Sequence, residues 1–404
     1  MLLDHLSQRL RERDAAALRR HRRTVQTPCA PRQRVQGPRG PAREMLAFCS
    51  NDYLGLAAHP QLAEALAEGA HCFGVGSGAS HLISGHSQAH AALERMLGDW
   101  LAPCIPQARA LTFCTGYMAN LALLTSLADA DAAIYADKLN HASLIDAALL
   151  ARAPMQRYAH GRLDVLVRWL EDSAAPIKLI VTDAVFSMDG DLADLPALLA
   201  LAERHDAWLV VDDAHGFGVL GEGGRGTLAH FGLCSERFVY MGTLGKAIGA
   251  AGAFVAAHPV VIDWLVQSAR TYVYTTATPP ALAHAVRASL GLVGGPQGDR
   301  RRRRLGRLVR QLRCRLGALI DAHPRLGWRL PASATAIQPL IVGSNETALQ
   351  LAAALEAEGL WVPAIRPPTV PAGAARLRIT LSAEHTPQDV RRLVDALARA
   401  ARRL

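Results

Sequence analysis

Between Leu111 and Val255 the chain repeats one unit: a short apolar run, a polar or glycine-rich break, then a longer mixed stretch. The runs are Leu111–Cys114, Ala133–Ala136, Ile177–Thr182, Trp208–Val211 and Phe238–Met241. Apolar runs of this length read as strands buried on both faces. Strands alternating with helical stretches predict a mostly parallel α/β sheet. In such sheets ligands collect beyond the carboxyl ends of the strands. The breaks are therefore where chemistry belongs. They read Thr115-Gly116-Tyr117, Asp137-Lys138-Leu139-Asn140-His141, Asp183 through Ser187 to Asp191, Asp212-Asp213-Ala214-His215 and Gly242-Thr243-Leu244-Gly245-Lys246. A random scatter of polar residues would not fall at every strand end.

Lys246 is the most informative of these. The sequence has 44 Lys and Arg residues, and only Lys138, Lys178 and Lys246 are lysine. Arginine keeps its proton in proteins, whereas a desolvated lysine becomes a nucleophile able to form a Schiff base. The bland alternative is a snorkelling surface lysine. Asp212 closes an apolar strand, and Asp213 beside it must face the other side. A buried carboxylate needs a cationic or proton-donating partner. The pyridinium nitrogen of pyridoxal phosphate is one, and Lys plus Asp is how proteins hold that cofactor. His215 would hydrogen-bond the ring hydroxyl and His141 would stack on the ring. Gly116, Tyr117 and Thr243 would take the phosphate side, because a glycine turn at a helix start offers free N–H groups. Singly, each histidine reads as a satisfied structural group and Asp212 as a helix cap. Together, beside a rare lysine, they read as a site.

Composition limits the alternatives. A chain of 404 residues, 50% hydrophobic and 20% charged, suits a two-domain globular enzyme. No apolar run is long enough to span a bilayer. The first 23 residues read as an amphipathic helix without a signal core, and the seven cysteines include no CxxC pair. A cytoplasmic protein with reduced thiols, no disulfide framework and no zinc site is expected. The net charge of +9 peaks at Arg300–Arg315, where Leu305, Leu308, Val309, Leu312, Leu316 and Leu319 recur at helical spacing. This predicts a helix with a solvated arginine face rather than a nucleic-acid reader. The positive field would steer an acidic acyl donor. His81, His86 and His90 are close in sequence, but no carboxylate or cysteine completes a set, so no metal is expected. A helix near Pro60 is expected to bury Leu62, Ala65 and Leu66. Residues 1–44 read as an arm on the outside of the main domain, a helix followed by a Pro28–Pro41 link. Residues 45–285 read as the large cofactor domain, and 286–404 as a smaller α+β domain.

Longer motifs carry a resemblance: SNDYLGL (50–56), GSGAS (76–80), TGYMAN (115–120), HAS (141–143), FSMDGD (186–191), VDDAHGFGVLGEGGRG (211–226), TLGKAIGAAG (243–252), TTATPP (275–280) and RPPTVPAGAARLRITLS (366–382). In this order, over nearly the whole chain, they resemble the α-oxoamine synthases. These are pyridoxal-phosphate enzymes of the aspartate aminotransferase fold type, fold type I. Ala79 replaces a usual Gly and Ala374 a common Thr. The resemblance implies that Lys246 holds the cofactor and moves the Cα proton, and that Asp212 keeps the ring nitrogen protonated. His215 and Ser187 would contact the ring hydroxyl. Arg366 would clamp the amino-acid carboxylate. Thr369 and Arg19 would line the acyl side, with Asn51 near the substrate carboxylate. Thr275 or Thr276 would reach the neighbouring subunit's phosphate, which implies a homodimer. The likeness is strongest to the biotin-pathway branch. That branch condenses L-alanine with a pimeloyl thioester, carried by coenzyme A or an acyl carrier protein, to 8-amino-7-oxononanoate and carbon dioxide. The alternative is a sister enzyme such as 2-amino-3-ketobutyrate ligase, 5-aminolevulinate synthase or serine palmitoyltransferase. No nucleic-acid or membrane partner is implied.

Overall fold

All five apolar runs are strands of one seven-stranded sheet. The computed structural model describes residues 1–16, 18–37 and 40–403. In chain order the sheet strands are β1 (Arg109–Phe113), β2 (Ala132–Asp137), β3 (Met155–Tyr158), β4 (Ile177–Asp183), β5 (Trp208–Asp212), β6 (Phe238–Thr243) and β7 (Ala253–Ala257). Their spatial order is β1-β7-β6-β5-β4-β2-β3. The neighbours from β6 to β3 run parallel, while β7 is antiparallel to both β6 and β1. The sheet is thus mostly parallel, as the alternation predicts. The β2, β4 and β5 strands run one residue further than their apolar runs, so Asp137, Asp183 and Asp212 are their last residues.

The sequence reading has no counterpart for β3 or β7. The β3 strand is short and half-exposed, so its four residues carry no apolar run. The β7 strand is fully buried, but it follows β6 through a hairpin rather than a helix. That hairpin carries Lys246. It is held by its own backbone, with Leu244 N donating to Gly252 O and Gly249 N to Lys246 O, both at 2.9 Å.

Two helices bring the strand-end motifs into place. Helix α1 spans Gly116–Leu127, and its cap Thr115 accepts from Met118 N through Oγ1 at 3.2 Å. Helix α2 spans Ala142–Ala151 and is capped by His141. Elsewhere the helix Pro60–Phe73 buries Leu62, Ala65 and Gly69, and leaves Leu66 43% exposed. The expected face is therefore rotated. A Cβ on Gly69 would lie 2.9 Å from the Ala281 backbone, so the close crossing with helix Pro280–Gly294 selects the glycine side.

Helix α3 (Pro296–Ala322) buries Leu305, Leu308, Val309, Leu312, Leu316 and Leu319, the stripe read from the sequence. Its arginine face is not simply solvated. Arg301 donates to Leu54 O at 2.7 Å, Arg304 to His385 O at 2.9 Å and Arg313 to Gln338 Oε1 at 2.8 Å. Beyond α3, strands Ile337–Gly343, Ala364–Ile365 and Ala375–Thr380 form an antiparallel sheet. Helices Asn345–Ala357 and Pro387–Ala401 accompany it.

The arm departs from expectation. Its strands Arg32–Gln36 and Arg43–Ala47 pair with each other, and the second pairs in parallel with Leu360–Trp361. Ion pairs Arg23–Glu356 (2.7 Å) and Arg32–Asp389 (2.7 Å) fasten it. The arm therefore packs on the C-terminal region, not on the outside of the large sheet. Ala17, and Pro38 and Arg39 of the expected Pro28–Pro41 link, lie outside the described residues. Among the described residues no helix is long and apolar enough to cross a membrane.

Candidate active site

The carboxyl ends of β2, β4, β5 and β6 and the start of α1 surround a cavity of about 190 Å³. Gly116, Tyr117, His141, Ser187, Asp212, His215, Thr243 and Lys246 all line it. These eight residues, all named from the sequence, are gathered from breaks far apart in the chain.

The charges at its floor decide its chemistry. Asp212 accepts from Asn120 Nδ2 at 2.8 Å and from Ala214 N at 3.0 Å. Asn120 also donates to Ser143 Oγ at 2.9 Å. Asp183, in direct register with Asp212 across β4 and β5, accepts from His141 N at 3.0 Å. Its other oxygen is buried without a partner. Burial pushes the Asp183 carboxyl well above the usual range, and the Asp212 charge adds to this. Burial lowers the Lys246 ammonium pKa, against the pull of Asp212 and Asp183. Burial first, and the Lys246 charge second, hold His215 well below its ordinary value, so its ring stays neutral.

Each ring is braced from behind. His215 Nδ1 lies 2.6 Å from Tyr53 Oη, which donates to Asn51 Oδ1 at 3.1 Å. Arg378 approaches the same Asn51 oxygen at 3.4 Å and donates through Nε to Ser187 O at 2.6 Å. His141 Nδ1 lies 2.7 Å from Ser143 Oγ. Thr243 Oγ1 donates to Ala214 O at 3.1 Å. Gly116 must be glycine for space, since a Cβ there would lie 2.9 Å from Thr243 Cγ2.

A second cavity, of about 590 Å³, shares His141 and Ser187 with the first, and Thr369 lines it. Asn51 lies behind His215, as the bonds above show, rather than on a cavity wall. Arg366 is half-buried and contributes its carbonyl to Thr369 N at 3.1 Å, but lines neither cavity. Arg19 is not brought to the site, because its guanidinium pairs with Asp14 of the N-terminal helix at 2.6 Å. Thr275 and Thr276 also lie off both cavities, with Thr276 bridged to Ser80.

Sequence reasoning assigned no role to Asp183, Asn120, Tyr53 or Arg378. Asp183 and Asn120 were visible inside strand-end motifs. Tyr53 and Arg378 were visible only inside the SNDYLGL and 366–382 motifs, and their bonds to His215 and Ser187 join residues remote in sequence. His81, His86 and His90 do converge, with ligand atoms within 4.8 Å of one another. Glu94 Oε2 lies 3.8 Å from His86 Nε2, so a carboxylate stands beside the set after all. His90 is engaged at both nitrogens, by Ser87 N at 3.0 Å and Thr278 O at 2.8 Å. His81 and His86 bond each other at 2.9 Å.

Comparison with known proteins agrees with this geometry. Residues 43–397 match the model of the family described as aminotransferase class I and II. The 8-amino-7-oxononanoate synthase of Polaromonas naphthalenivorans (strain CJ2) is 72% identical over 404 residues, covering 100% of this chain and 99% of that protein. A solved structure described as SPT with a PLP internal aldimine superposes with a TM-score of 0.88 at 27% identity, covering 99% of this chain and 97% of that one. An 8-amino-7-oxononanoate synthase structure from Francisella tularensis gives 0.74 at 28% identity, over 89% and 98%.

Proposed function

The chain belongs to the class I and II aminotransferase family, in its 8-amino-7-oxononanoate synthase group, and from that membership we propose that it joins L-alanine to a pimeloyl thioester. The products are 8-amino-7-oxononanoate, carbon dioxide and the free thiol carrier. The enzyme is a pyridoxal-phosphate-dependent acyltransferase of fold type I. The observation that carries the reading is Lys246, a buried amine with a lowered pKa, in one cavity with Asp212, His141 and His215.

The residues suit the cofactor. Asp212 is held by two donors with its carboxylate on the cavity wall, as a ring nitrogen requires. Gly116 leaves bare a cradle that a Cβ would fill, and the start of α1 offers N–H groups to a phosphate. Bound pyridoxal phosphate supplies an electron sink for negative charge at the amino acid's Cα. The Lys246 amine, its pKa lowered by burial, takes the Cα proton of L-alanine. Asp212 holds the ring nitrogen protonated, and Asn120 with Ala214 N fixes its orientation. His141, locked by Ser143 and by its N–H to Asp183, presents a flat face to the ring. Neutral His215, braced by Tyr53, and Ser187 serve the ring hydroxyl. Cα would bond to the thioester carbonyl carbon as the thiolate leaves, the alanine carboxylate would depart as carbon dioxide, and the Lys246 ammonium would return a proton to Cα.

Thr369, on the wall of the cavity that shares His141 and Ser187, serves the acyl chain. Arg366 takes the amino-acid carboxylate, and Asn51 supports that side. Arg19 would reach the acyl substrate only after leaving Asp14. Thr275 or Thr276, both off the two cavities of their own chain, serves the partner's phosphate in a homodimer. We keep the division into an arm (1–44), a large domain (45–285) and a small domain (286–404). The test is turnover of purified protein with L-alanine and pimeloyl thioester, followed by carbon dioxide and thiol release. Glycine with acetyl or succinyl thioester runs beside it. Release with the alanine–pimeloyl pair supports the reading; release only with a glycine pair moves the chain to a sister enzyme.

A further inference from the structure

The second cavity is built for an anion as well as for an acyl chain. Its wall carries two cationic side chains that no step above uses, Lys138 and Arg157. Its one lining carboxylate, Asp189, is neutralised by Arg376 at 2.5 Å. Asp137, next to Lys138, is likewise occupied, accepting from Leu139 N at 2.8 Å and pairing with His160 at 2.9 Å. The two cations are therefore uncompensated at the wall they share.

They are also held together. Arg157 donates through Nη2 to Lys138 O at 2.8 Å, which ties the guanidinium to the turn leaving β2. Its Nε is buried without a hydrogen-bond partner among the described residues. A buried N–H without an acceptor is uncommon in a finished structure and leaves a donor open to a water or a ligand oxygen. Lys138 is one of three lysines in a chain that otherwise writes its cations as arginine. Arg157 offers a planar fork and Lys138 a mobile point charge, a complementary pair for carboxylate or phosphate oxygens.

We propose that Lys138 and Arg157 form a subsite for an anionic group of the acyl donor. The inference rests on the alanine–pimeloyl reading above. That donor carries anions at both ends: a terminal carboxylate, and the phosphates of coenzyme A or a phosphopantetheine carrier. The cavity meets the Lys246 site at His141 and Ser187. A thioester carbonyl placed there leaves one anionic end of the donor to extend along the wall toward Lys138 and Arg157. Both sources share oxyanion chemistry, and the donors in the experiment separate them.

The experiment uses full-length holoenzyme and four donors with L-alanine. Pimeloyl-coenzyme A carries both anions, and its terminal methyl ester carries only phosphates. Pimeloyl-N-acetylcysteamine carries only the carboxylate, and its methyl ester carries neither. In Lys138→Ala/Arg157→Gln the KM for donors bearing the recognised anion should rise about tenfold, and the penalty for the uncharged donor should stay below about twofold. Lys138→Glu, an exposed site that does not threaten folding, should enlarge the same penalty. Raising salt should weaken wild-type binding of the charged donor more than that of the variant. A penalty confined to carboxylate-bearing donors assigns the terminal carboxylate; one confined to coenzyme A donors assigns the phosphates. Equal penalties on all four donors, or none on any, would overturn the subsite. Failure of wild-type protein to turn over any alanine–pimeloyl pair would instead overturn the reading beneath it.

Discussion

Asp183 and Asp212 stand directly opposite each other at the ends of neighbouring parallel strands, two buried carboxyl groups in register beside the half-buried Lys246. Two adjacent carboxylates cannot both carry charge cheaply in a buried site. Asp212 receives two N–H donors, whereas Asp183 receives one and has an oxygen left over. Burial first and the Asp212 charge second raise the Asp183 carboxyl, so Asp183 is the member of the pair less suited to carry charge. Asp183→Asn keeps an uncharged group that can accept from His141 N, and should retain kcat within about tenfold. Asp212→Asn removes the charge that serves the ring nitrogen, and should lower kcat by roughly 10²- to 10³-fold. Steady-state kinetics with cofactor content measured in parallel decide this. Equal losses in the two variants would show that the charge has been assigned to the wrong carboxyl.

Lys246 lies in a hairpin that its own backbone bonds hold, not in the core of a strand, so its side chain can be removed without opening the sheet. Lys246→Ala should fold, bind pyridoxal phosphate and lose at least about 10³-fold in kcat, the scale of a missing proton-transfer group. Borohydride treatment should fix the cofactor covalently to wild-type protein and not to the variant. Covalent retention by the variant would place the amine elsewhere, with Lys138 and Lys178 as the remaining lysines.

What could be read from the sequence divides along a physical line. Asp212, Lys246 and His141 were legible because each combines a local pattern, the end of an apolar run, with a residue type costly to bury. Asp183 was legible as a strand end only. Its raised pKa follows from burial first and from Asp212 on the next strand second, both tertiary facts. Tyr53 acts through His215, and Arg378 through Asn51 and Ser187, partners that only folding brings near. The arm was misplaced because parallel pairing with Leu360–Trp361 leaves no trace in local periodicity. Leu66 was placed inside because hydrophobicity outranks glycine in a helical stripe, while the close helix crossing at Gly69 inverts that order.

A Cβ on Gly116 would lie 2.9 Å from Thr243 Cγ2, and Thr243 cannot swing away while Oγ1 holds Ala214 O. Gly116→Ala should therefore weaken pyridoxal phosphate binding by about tenfold, the scale of a modest overpacking. Thr243→Ser removes Cγ2 and keeps the hydroxyl. The double variant Gly116→Ala/Thr243→Ser should recover most of the affinity, as measured by fluorescence titration of apoprotein. No recovery would mean that the Cβ meets the cofactor rather than Thr243.

His160 bridges Asp137 of β2 at 2.9 Å and Asp191 of the Ser187 loop at 2.7 Å, with its ring edge-on to Phe186. Hydrogen bonds donated to the two carboxylates raise its pKa from about 6.5 to about 10, against the opposing effect of burial. A pKa raised on folding adds stability that is complete below the unfolded value and is lost as pH climbs through the folded one. His160→Gln should therefore destabilise most near pH 6, by about 2 kcal/mol or roughly 4 °C in Tm. The gap to wild type should close between about pH 6.5 and 10. Thermal melts of both proteins at pH 6, 8 and 10 measure this. A gap constant across that range would mean that the imidazole acts through shape and neutral hydrogen bonds. A closing gap would identify a charged clasp holding the Ser187 loop against the sheet.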